Sequence, residues 1–500
     1  MQEGYLLTYL IFSPLIGLLI LLFVPREERS LIKNFAFIWS FIPLIISVIL
    51  VFVFKSGTSD FQFEQKIIWI EPLKISYNVG VDGISLFLVL LTTLSTTIVI
   101  LSSFKYIQKD EKLYYIMLLL LETSMLGTFL ALDLVLFFLF WEAMLIPMYF
   151  IIAIWGGERR IYATFKFIIY TSIGSVLMLI GIFYLGKLSG SFSISDIYGI
   201  KLTYNEQLLL FGAFFLAFAI KVPLFPVHTW LPDAHVEAPT GGSVILAAIL
   251  LKMGAYGILR FVIPLFPEAT LTFTPAILFL SVIGVIYAAM ASYVQKDIKK
   301  LVAYSSVSHM GLIILGLFAI DKVSISGAVY QMLSHGLSTG TLFLIVGMLY
   351  ERRHTREIGE YGGIASVMPA FSAFFMIATL TSIAVPFTSG FAGEFMILFG
   401  SFGSQHLTQN IGYGRIFVYI AVSGMLLGAV YMLWAYQRVV FGPNIKEENQ
   451  RLMDLSFREY MVLIPYAVLM VFLGVRTDFI IDRVLPSVEK IIQIFYAGLK

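Results

Sequence analysis

The sequence predicts an all-α polytopic membrane protein with about 14 transmembrane helices. Hydrophobic residues make up 59% of the 500 residues and charged residues only 13%, and the mean hydropathy is +0.91. A water-soluble fold of this size could not bury so much apolar surface. The apolar residues are also grouped into runs of roughly 20, the length that one helix needs to cross the hydrocarbon of a bilayer.

The apolar runs divide the chain into four parts. Their centres lie near residues 15, 44, 92, 121, 144, 173, 217, 250, 283, 309, 337, 380, 428 and 467. We therefore expect helices 1–3 in residues 1–110, helices 4–8 in 111–265, helices 9–13 in 266–442, and a last helix with an outer-surface tail in 443–500. Lysine and arginine are concentrated on one side of this arrangement, which predicts both termini on the periplasmic side of a bacterial cytoplasmic (inner) membrane.

The composition also excludes several kinds of chemistry. The chain has no cysteine, so it cannot form disulfides, thiolate metal sites or cysteine-bound iron-sulfur clusters. Its net charge of +2 excludes strong attraction to nucleic acid. No phosphate-binding loop, dinucleotide fingerprint or metal-binding H-E-x-x-H helix is present. Any redox chemistry is therefore expected on a partner protein.

Lys221 is the most informative residue of the chain. It ends the apolar run 208–220 and directly precedes two helix breakers, Pro223 and Pro226. A charge at the bilayer centre costs about 2.5 to 3.5 kcal/mol on insertion scales, so intramembrane charges tend to be functional. The pattern predicts a broken helix with a functional lysine at the break.

The chain also contains a predicted internal repeat. Residues 163–181 can be laid over 328–346, which places Tyr170 on His335, and at nearly the same offset Pro223 meets Pro386. Five helices separate the equivalent positions, and because five is odd the two copies enter the membrane from opposite sides. Two inverted five-helix repeats, each with a broken helix, are typical of transporters.

Two further charges stand alone in apolar helices. Glu142 has no opposite charge three or four residues away on its own helix, so any partner must come from another helix, and Lys221 is the natural candidate. Lys252 follows the apolar run 243–251. The alternative interpretation of Glu142 is a structural ion pair.

The second half of the chain contributes His309, His335 and Glu394. Both histidines have hydroxyl-bearing and small neighbours, which admit water and close helix packing, and Glu394 follows the second break. His228 and His235 follow Lys221 at steps of seven and, with Tyr170, are possible accessories, although each histidine alone is more often a packed core residue. Ionisable residues distributed over two broken-helix repeats predict a proton route.

Three segments carry a family resemblance that extends over essentially the whole chain. Residues 141–149, 219–243 and 303–311 resemble the antiporter-like membrane subunits of proton-pumping NADH:quinone oxidoreductase, respiratory complex I. Three related subunits share this core. Three features favour one of these three subunits. They are the segment 141–149, a glutamate rather than a lysine after the second break, and the absence of an extra long C-terminal lateral helix.

The resemblance implies a role for each of these residues. Glu142 and Lys221 would form the coupling pair, Lys252 the central relay and Glu394 the terminal group near the outward exit, with His309 and His335 between them. The chain would be a non-redox subunit of the translocase and would hold no cofactor. Flavin, iron-sulfur clusters and quinone would lie in partner subunits, and the chain's own partners would be other membrane-arm subunits, the lipid bilayer, protons and internal waters.

Two rival interpretations remain at this point. The family also resembles subunits of multisubunit Na+/H+ antiporters, which have the same broken-helix lysine. A purely structural membrane scaffold is the other alternative, and in that case substitutions at Glu142 and Lys221 would change assembly without changing pumping.

Overall fold

A computed structural model describes residues 5–443 and 446–500 and confirms the all-α polytopic class. Within the described residues, twelve helices are long and apolar enough to cross a membrane, and each contains one of the predicted centres. They are Leu6–Phe23, Arg29–Val53, Gly83–Tyr106, Glu111–Leu130, Leu134–Trp155, Arg160–Ser189, Thr240–Leu265, Pro267–Tyr293, Ile298–Phe318, Lys322–Arg353, Arg415–Val440 and Phe457–Val475. The first four residues lie outside the described ranges, and the predicted side of both termini stays a prediction.

The two remaining centres, near 217 and 380, lie in interrupted helices. Tyr204–Lys221 is followed by Trp230–Glu237 after a gap, and Pro369–Ser382 is followed by Ser389–Gly403. Proline lacks a backbone N–H and disfavours helical geometry in the residue before it, which explains why these helices stop where they do. The total of fourteen spans, the inverted repeat and the four-part division stay predictions.

Two helices form the buried centre of the protein. The membrane segments of Thr240–Leu265 and Lys322–Arg353 are entirely buried, whereas only a third of the Arg415–Val440 segment is. Glycines let these two helices approach each other. A Cβ added to Gly336 would lie 3.0 Å from the carbonyl oxygen of Ala248, and one added to Gly347 would lie 2.4 Å from a side-chain carbon of Thr240.

The segment between the second and third long helices forms a β-hairpin that the sequence did not predict. Strands Gln62–Ile70 and Ile75–Val81 pair antiparallel. The Asp133 carboxylate accepts hydrogen bonds from the Ser76 backbone N–H and hydroxyl, both at 3.0 Å, and caps the next helix by accepting from the Val135 N–H at 2.9 Å. One buried carboxylate therefore joins the hairpin to the helix that carries Glu142.

The C-terminal helices line the third long helix, Gly83–Tyr106. At one end of that helix, the Gly83 N–H donates to the Ser487 hydroxyl at 3.1 Å, from helix Asp478–Ala497. Further along it, the Tyr466 hydroxyl donates to Ser95 at 2.7 Å, and Arg458 donates to the Ser102 carbonyl at 3.1 Å. Gly83 has no room for a side chain, because an added Cβ would lie 1.8 Å from the Arg483 carbonyl oxygen.

We predict that Glu459→Gln lowers the free energy of unfolding by about 2 kcal/mol, because a charged acceptor of several hydrogen bonds is lost. Glu459 is buried and accepts from the two Nη atoms of Arg352 at 2.6 and 2.8 Å. Chemical denaturation of the detergent-solubilised protein measures the change. Glu447→Gln is the matched control, since its pair with Arg451 is about 80% exposed on both sides, and it should leave stability unchanged. Equal effects of the two substitutions would contradict the prediction.

Candidate functional site

The first helix break places Lys221 at the last residue of helix Tyr204–Lys221. Beyond the break, the indole N–H of Trp230 donates to the carbonyl oxygen of Ile220 at 2.9 Å. The backbone N–H of Leu224 donates to the carbonyl of Ala219 at 2.8 Å. Carbonyls that the interrupted helix leaves without intrahelical partners are thus satisfied inside the protein.

The Lys221 ammonium is buried among aromatic side chains. The side chain is 1% exposed, and its Nζ has no hydrogen-bond partner among the described residues. Nζ lies 5.3 Å from the ring centroid of Trp141 and 5.4 Å from that of Phe167. Aromatic faces attract a cation at such distances, so the pocket tolerates a charge without fixing it in a hydrogen bond.

Glu142 lies next to Trp141 on the helix Leu134–Trp155 and is half-buried. Within the described part of the chain it forms no salt bridge with Lys221, and its buried Oε1 has no hydrogen-bond partner. The Lys221 ammonium likewise has no hydrogen-bond partner among these residues. The predicted pairing of Glu142 with Lys221 stays a prediction.

Lys252 occupies a short α-helical stretch between two π-helical segments, Leu246–Leu250 and Ile258–Val262. Such π-helical turns are frequent at functional sites. The Lys252 side chain is fully buried, donates to the Ala247 carbonyl at 2.5 Å, and lies 2.6 Å from Nδ1 of His335. The lysine is therefore in direct contact with the helix that crosses beside it.

His335 begins a continuous row that ends at Glu394. Its ring centroid lies 5.3 Å from that of His309, and Nδ1 of His309 lies 3.0 Å from Oε1 of Glu394. His309 and Glu394 come from helices Ile298–Phe318 and Ser389–Gly403. With Lys252, four ionisable side chains from four helices lie next to one another; we name Lys252, His335, His309 and Glu394 the central row.

The sequence did not reveal two polar residues that support this row. The Gln331 amide donates to Oε1 of Glu394 at 3.1 Å, and the Ser382 hydroxyl lies 3.3 Å from Nε2 of His309. Gln331 could have been found, because it lies four residues before His335 and so on the same helix face. A cavity of about 20 Å³ borders His309, Ser382 and Glu394, which is room for one water molecule.

The accessory candidates lie outside the central row. His228 is buried between the rings of Phe225 and Tyr287, with centroid distances of 5.5 and 5.4 Å. Tyr170 is half-buried, and its hydroxyl lies 2.9 Å from that of Thr229. Both residues border the first break rather than the central row.

His235 is buried against an aromatic ring. Its ring is fully buried and stacks on Phe343 at 4.6 Å, and within the described residues neither ring nitrogen has a hydrogen-bond partner. Among the described residues, the ring is therefore positioned by packing rather than by a hydrogen bond.

The structure also reveals buried or partly buried charges that the sequence did not single out. Lys166 and Asp233 form an ion pair of 2.7 Å beside the first break. Arg260 and Asp82 form a second pair, also of 2.7 Å, which is almost fully buried. Glu122 is fully buried, and neither carboxylate oxygen has a hydrogen-bond partner among the described residues. Within these residues, no group of three or more histidine or acidic side chains could hold a metal ion.

The fold and this site define a polytopic membrane protein with a buried row of ionisable side chains across broken helices. Residues 131–412 match the family described as NADH:quinone oxidoreductase/Mrp antiporter, transmembrane region. The chain belongs to this family. The family resemblance expected from the sequence is confirmed.

Individual relatives match this sequence over nearly the whole chain. NADH-quinone oxidoreductase subunit M of Rickettsia prowazekii is 43% identical, covering 98% of this chain and 99% of the relative. NADH-ubiquinone oxidoreductase chain 4 of Marchantia polymorpha is 42% identical, covering 97% of both. These relatives are of the subunit type that the sequence features favour among the three.

Solved structures show the same fold. A chain of respiratory complex I from Thermus thermophilus, solved with bound NADH, is 29% identical with a TM-score of 0.88, covering 98% of this chain and 99% of that one. A chain of a membrane-bound sulfane sulfur reductase, an archaeal respiratory membrane complex, is 26% identical with a TM-score of 0.82, covering 95% and 76%.

We predict that Trp230→Phe destabilises the first break, because the Ile220 carbonyl loses its donor inside the protein. The expected loss in the free energy of unfolding is about 1 kcal/mol. The lowered thermal midpoint of the purified protein measures it. Trp434→Phe is the control, since the Trp434 indole stacks on Tyr293 and donates no hydrogen bond within the described residues. A midpoint for Trp230→Phe no lower than that of the control would refute the prediction.

Proposed function

We propose that the chain is a proton-translocating membrane subunit of an NADH:quinone oxidoreductase. The observation that carries the proposal is the central row, since four ionisable side chains from four helices lie next to one another inside the membrane domain. Family membership and relatives named as subunits of this enzyme support the same function. The chain takes part in the enzyme as a translocase subunit and performs no redox step itself.

The proposed mechanism uses the chain's own residues in two stages. In the first stage, a change in the separation of Glu142 and Lys221 alters how strongly the Lys221 ammonium holds its proton. In the second stage, the proton that Lys221 releases reaches Lys252 through internal water, and Lys252 passes it to Nδ1 of His335. Histidine can accept and release a proton near neutral pH, and His335 and His309 therefore carry it towards Glu394.

The supporting groups hold Glu394 and His309 in position. Gln331 donates to the Glu394 carboxylate, and Ser382 lies against the second ring nitrogen of His309. Water in the cavity beside them would connect the His309 ring with the Glu394 carboxylate. The row then ends beside the second helix break, where the interrupted backbone exposes polar groups.

The proposed function also implies partner subunits and a cellular location for this chain. Other membrane-arm subunits of complex I would be the partners, with flavin, iron-sulfur clusters and quinone in partner subunits. Redox energy from quinone reduction would reach this chain through them. The distribution of lysine and arginine supports a multi-pass location in a bacterial inner membrane with both termini on the periplasmic side.

A second candidate function is that of a subunit in a multisubunit Na+/H+ antiporter, which the family description favours because it includes Mrp antiporters. Co-purification distinguishes the two. An NADH-oxidising assembly with flavin and iron-sulfur absorbance supports the first function, and a membrane-only assembly without that absorbance supports the second.

We predict that Lys252→Met reduces proton pumping at least about tenfold, because the central row loses its first proton carrier while the methionine keeps the apolar stem. Proton uptake into vesicles during NADH oxidation measures the change, with assembly checked on native gels. Lys187→Met, at the exposed end of helix Arg160–Ser189, is the matched control and should pump normally. Normal pumping by an assembled Lys252→Met complex would refute the proposal.

We further predict that Lys221→Ala and Glu142→Gln both lower pumping in assembled complexes, with the larger loss for Lys221→Ala because it removes the proton carrier itself. The ratio of protons pumped to NADH oxidised separates coupling from assembly. A scaffold role predicts less assembled complex but an unchanged ratio, and that result would exclude the proposed coupling pair.

A further inference from the structure

A second buried charge pair lies outside the proposed central row. Nη2 of Arg260 lies 2.7 Å from Oδ2 of Asp82, and the two side chains are only 3% and 2% exposed. The guanidinium also lies 5.2 Å from the ring centroid of Phe61 and 5.3 Å from that of Tyr256. A buried ion pair contributes little to stability compared with apolar packing, so its presence calls for another explanation.

Arg260 follows Lys252 on the same buried span, Thr240–Leu265. It lies in the second π-helical segment, eight residues further along, which corresponds to about 12 Å along the helix axis. Asp82 caps the start of helix Gly83–Tyr106, where it accepts from the backbone N–H groups of Ile84 and Ser85. In the proposed orientation, the pair stands between Lys252 and the outer face of the membrane.

Three separate segments close the structure around this pair. The Tyr198 hydroxyl donates to the Arg260 carbonyl at 2.8 Å, and the hairpin and its flank contribute Phe61. The C-terminal helix reaches the same place through Ser487, which accepts from the Gly83 N–H. A proton that left Lys252 straight outwards would therefore meet the guanidinium.

Arginine is suited to stop such a proton. Its guanidinium stays protonated in proteins and offers no acceptor, so it cannot pass a proton on. Fixed positive charge in a narrow passage also repels protons and other cations. The neighbour of Lys252 that can accept a proton is instead His335, on the side of the second break.

We propose that Arg260, held in place by Asp82, is an electrostatic barrier that prevents a proton on Lys252 from escaping directly to the outer face. The barrier forces transfer sideways through His335 and His309 to Glu394. This inference rests on the proposed function of Lys252 as a proton carrier. It makes Arg260 a positioning residue, since it directs the proton without carrying it.

The test is passive proton leak through the assembled complex in liposomes, without NADH. A potassium diffusion gradient with valinomycin drives protons, and an internal pH-sensitive dye reports their influx. Arg260→Gln should raise the leak about tenfold. This is the factor expected when one unit charge about 12 Å from Lys252 is removed at an effective dielectric constant near 20. Asp82→Asn should not raise it, because the positive charge remains.

The pair of variants separates a barrier from a structural brace. If the ion pair were purely structural, both substitutions would disturb the complex alike. Equal leaks from the two variants would therefore overturn the proposal, and so would an unchanged leak from an assembled Arg260→Gln complex. If Arg260→Gln does not assemble, the double variant Arg260→Gln/Asp82→Asn is compared with Asp82→Asn, because these two variants differ only in the charge at position 260. A higher leak from the double variant supports the barrier, and equal leaks overturn it.

One further variant links the leak to Lys252. Adding Lys252→Met to the leaking variant should return the leak to the wild-type level, whereas a persisting leak would overturn the proposal. Normal NADH-driven pumping by Lys252→Met alone would instead show that the proposed function has failed. The two failures are therefore distinguishable.

Discussion

The contact between Lys252 and His335 is the interaction on which the rest of the membrane domain depends. An ammonium in the middle of the bilayer must be satisfied by protein groups, since lipid offers none. The Ala247 carbonyl and the His335 ring provide this, and both lie within 2.6 Å of Nζ. The contact requires that helices Thr240–Leu265 and Lys322–Arg353 cross at close range, and glycines on the second helix permit that approach.

The other helices are arranged around these two central ones. The breaks place polar backbone beside the ionisable residues, Lys221 at the end of one half-helix and Glu394 in the early part of the other. Lys221 and Lys252 are held in different ways. Aromatic rings surround Lys221 without fixing it, whereas Lys252 has two close partners, so a rearrangement at the first break disturbs fewer direct bonds.

The helices and their breaks could be predicted because run length and proline position report directly on membrane spans. Lys252 could be selected because it is isolated among apolar residues, and His309, His335 and Glu394 could be selected from their hydroxyl-bearing or small neighbours and from the second break. Their order depends on how the helices rotate and cross. Gln331 and Ser382 look like ordinary polar residues in sequence. The hairpin was missed because its strands are partly polar and lie in the loop between two membrane spans. Whether Glu142 and Lys221 touch depends on the reach of side chains from two helices.

The contacts of helix Gly83–Tyr106 with the C-terminal helices have a consequence for biosynthesis. Gly83 and Ser487 are 404 positions apart, and Ser95 and Tyr466 are 371 apart. Because a chain is synthesised from its N-terminus, the partners of this helix emerge last. One flank of the third long helix therefore stays uncovered in the membrane until the C-terminal helices are inserted. A chain truncated before residue 457 would leave that flank exposed, which makes the C-terminal helices the step that completes the folded subunit.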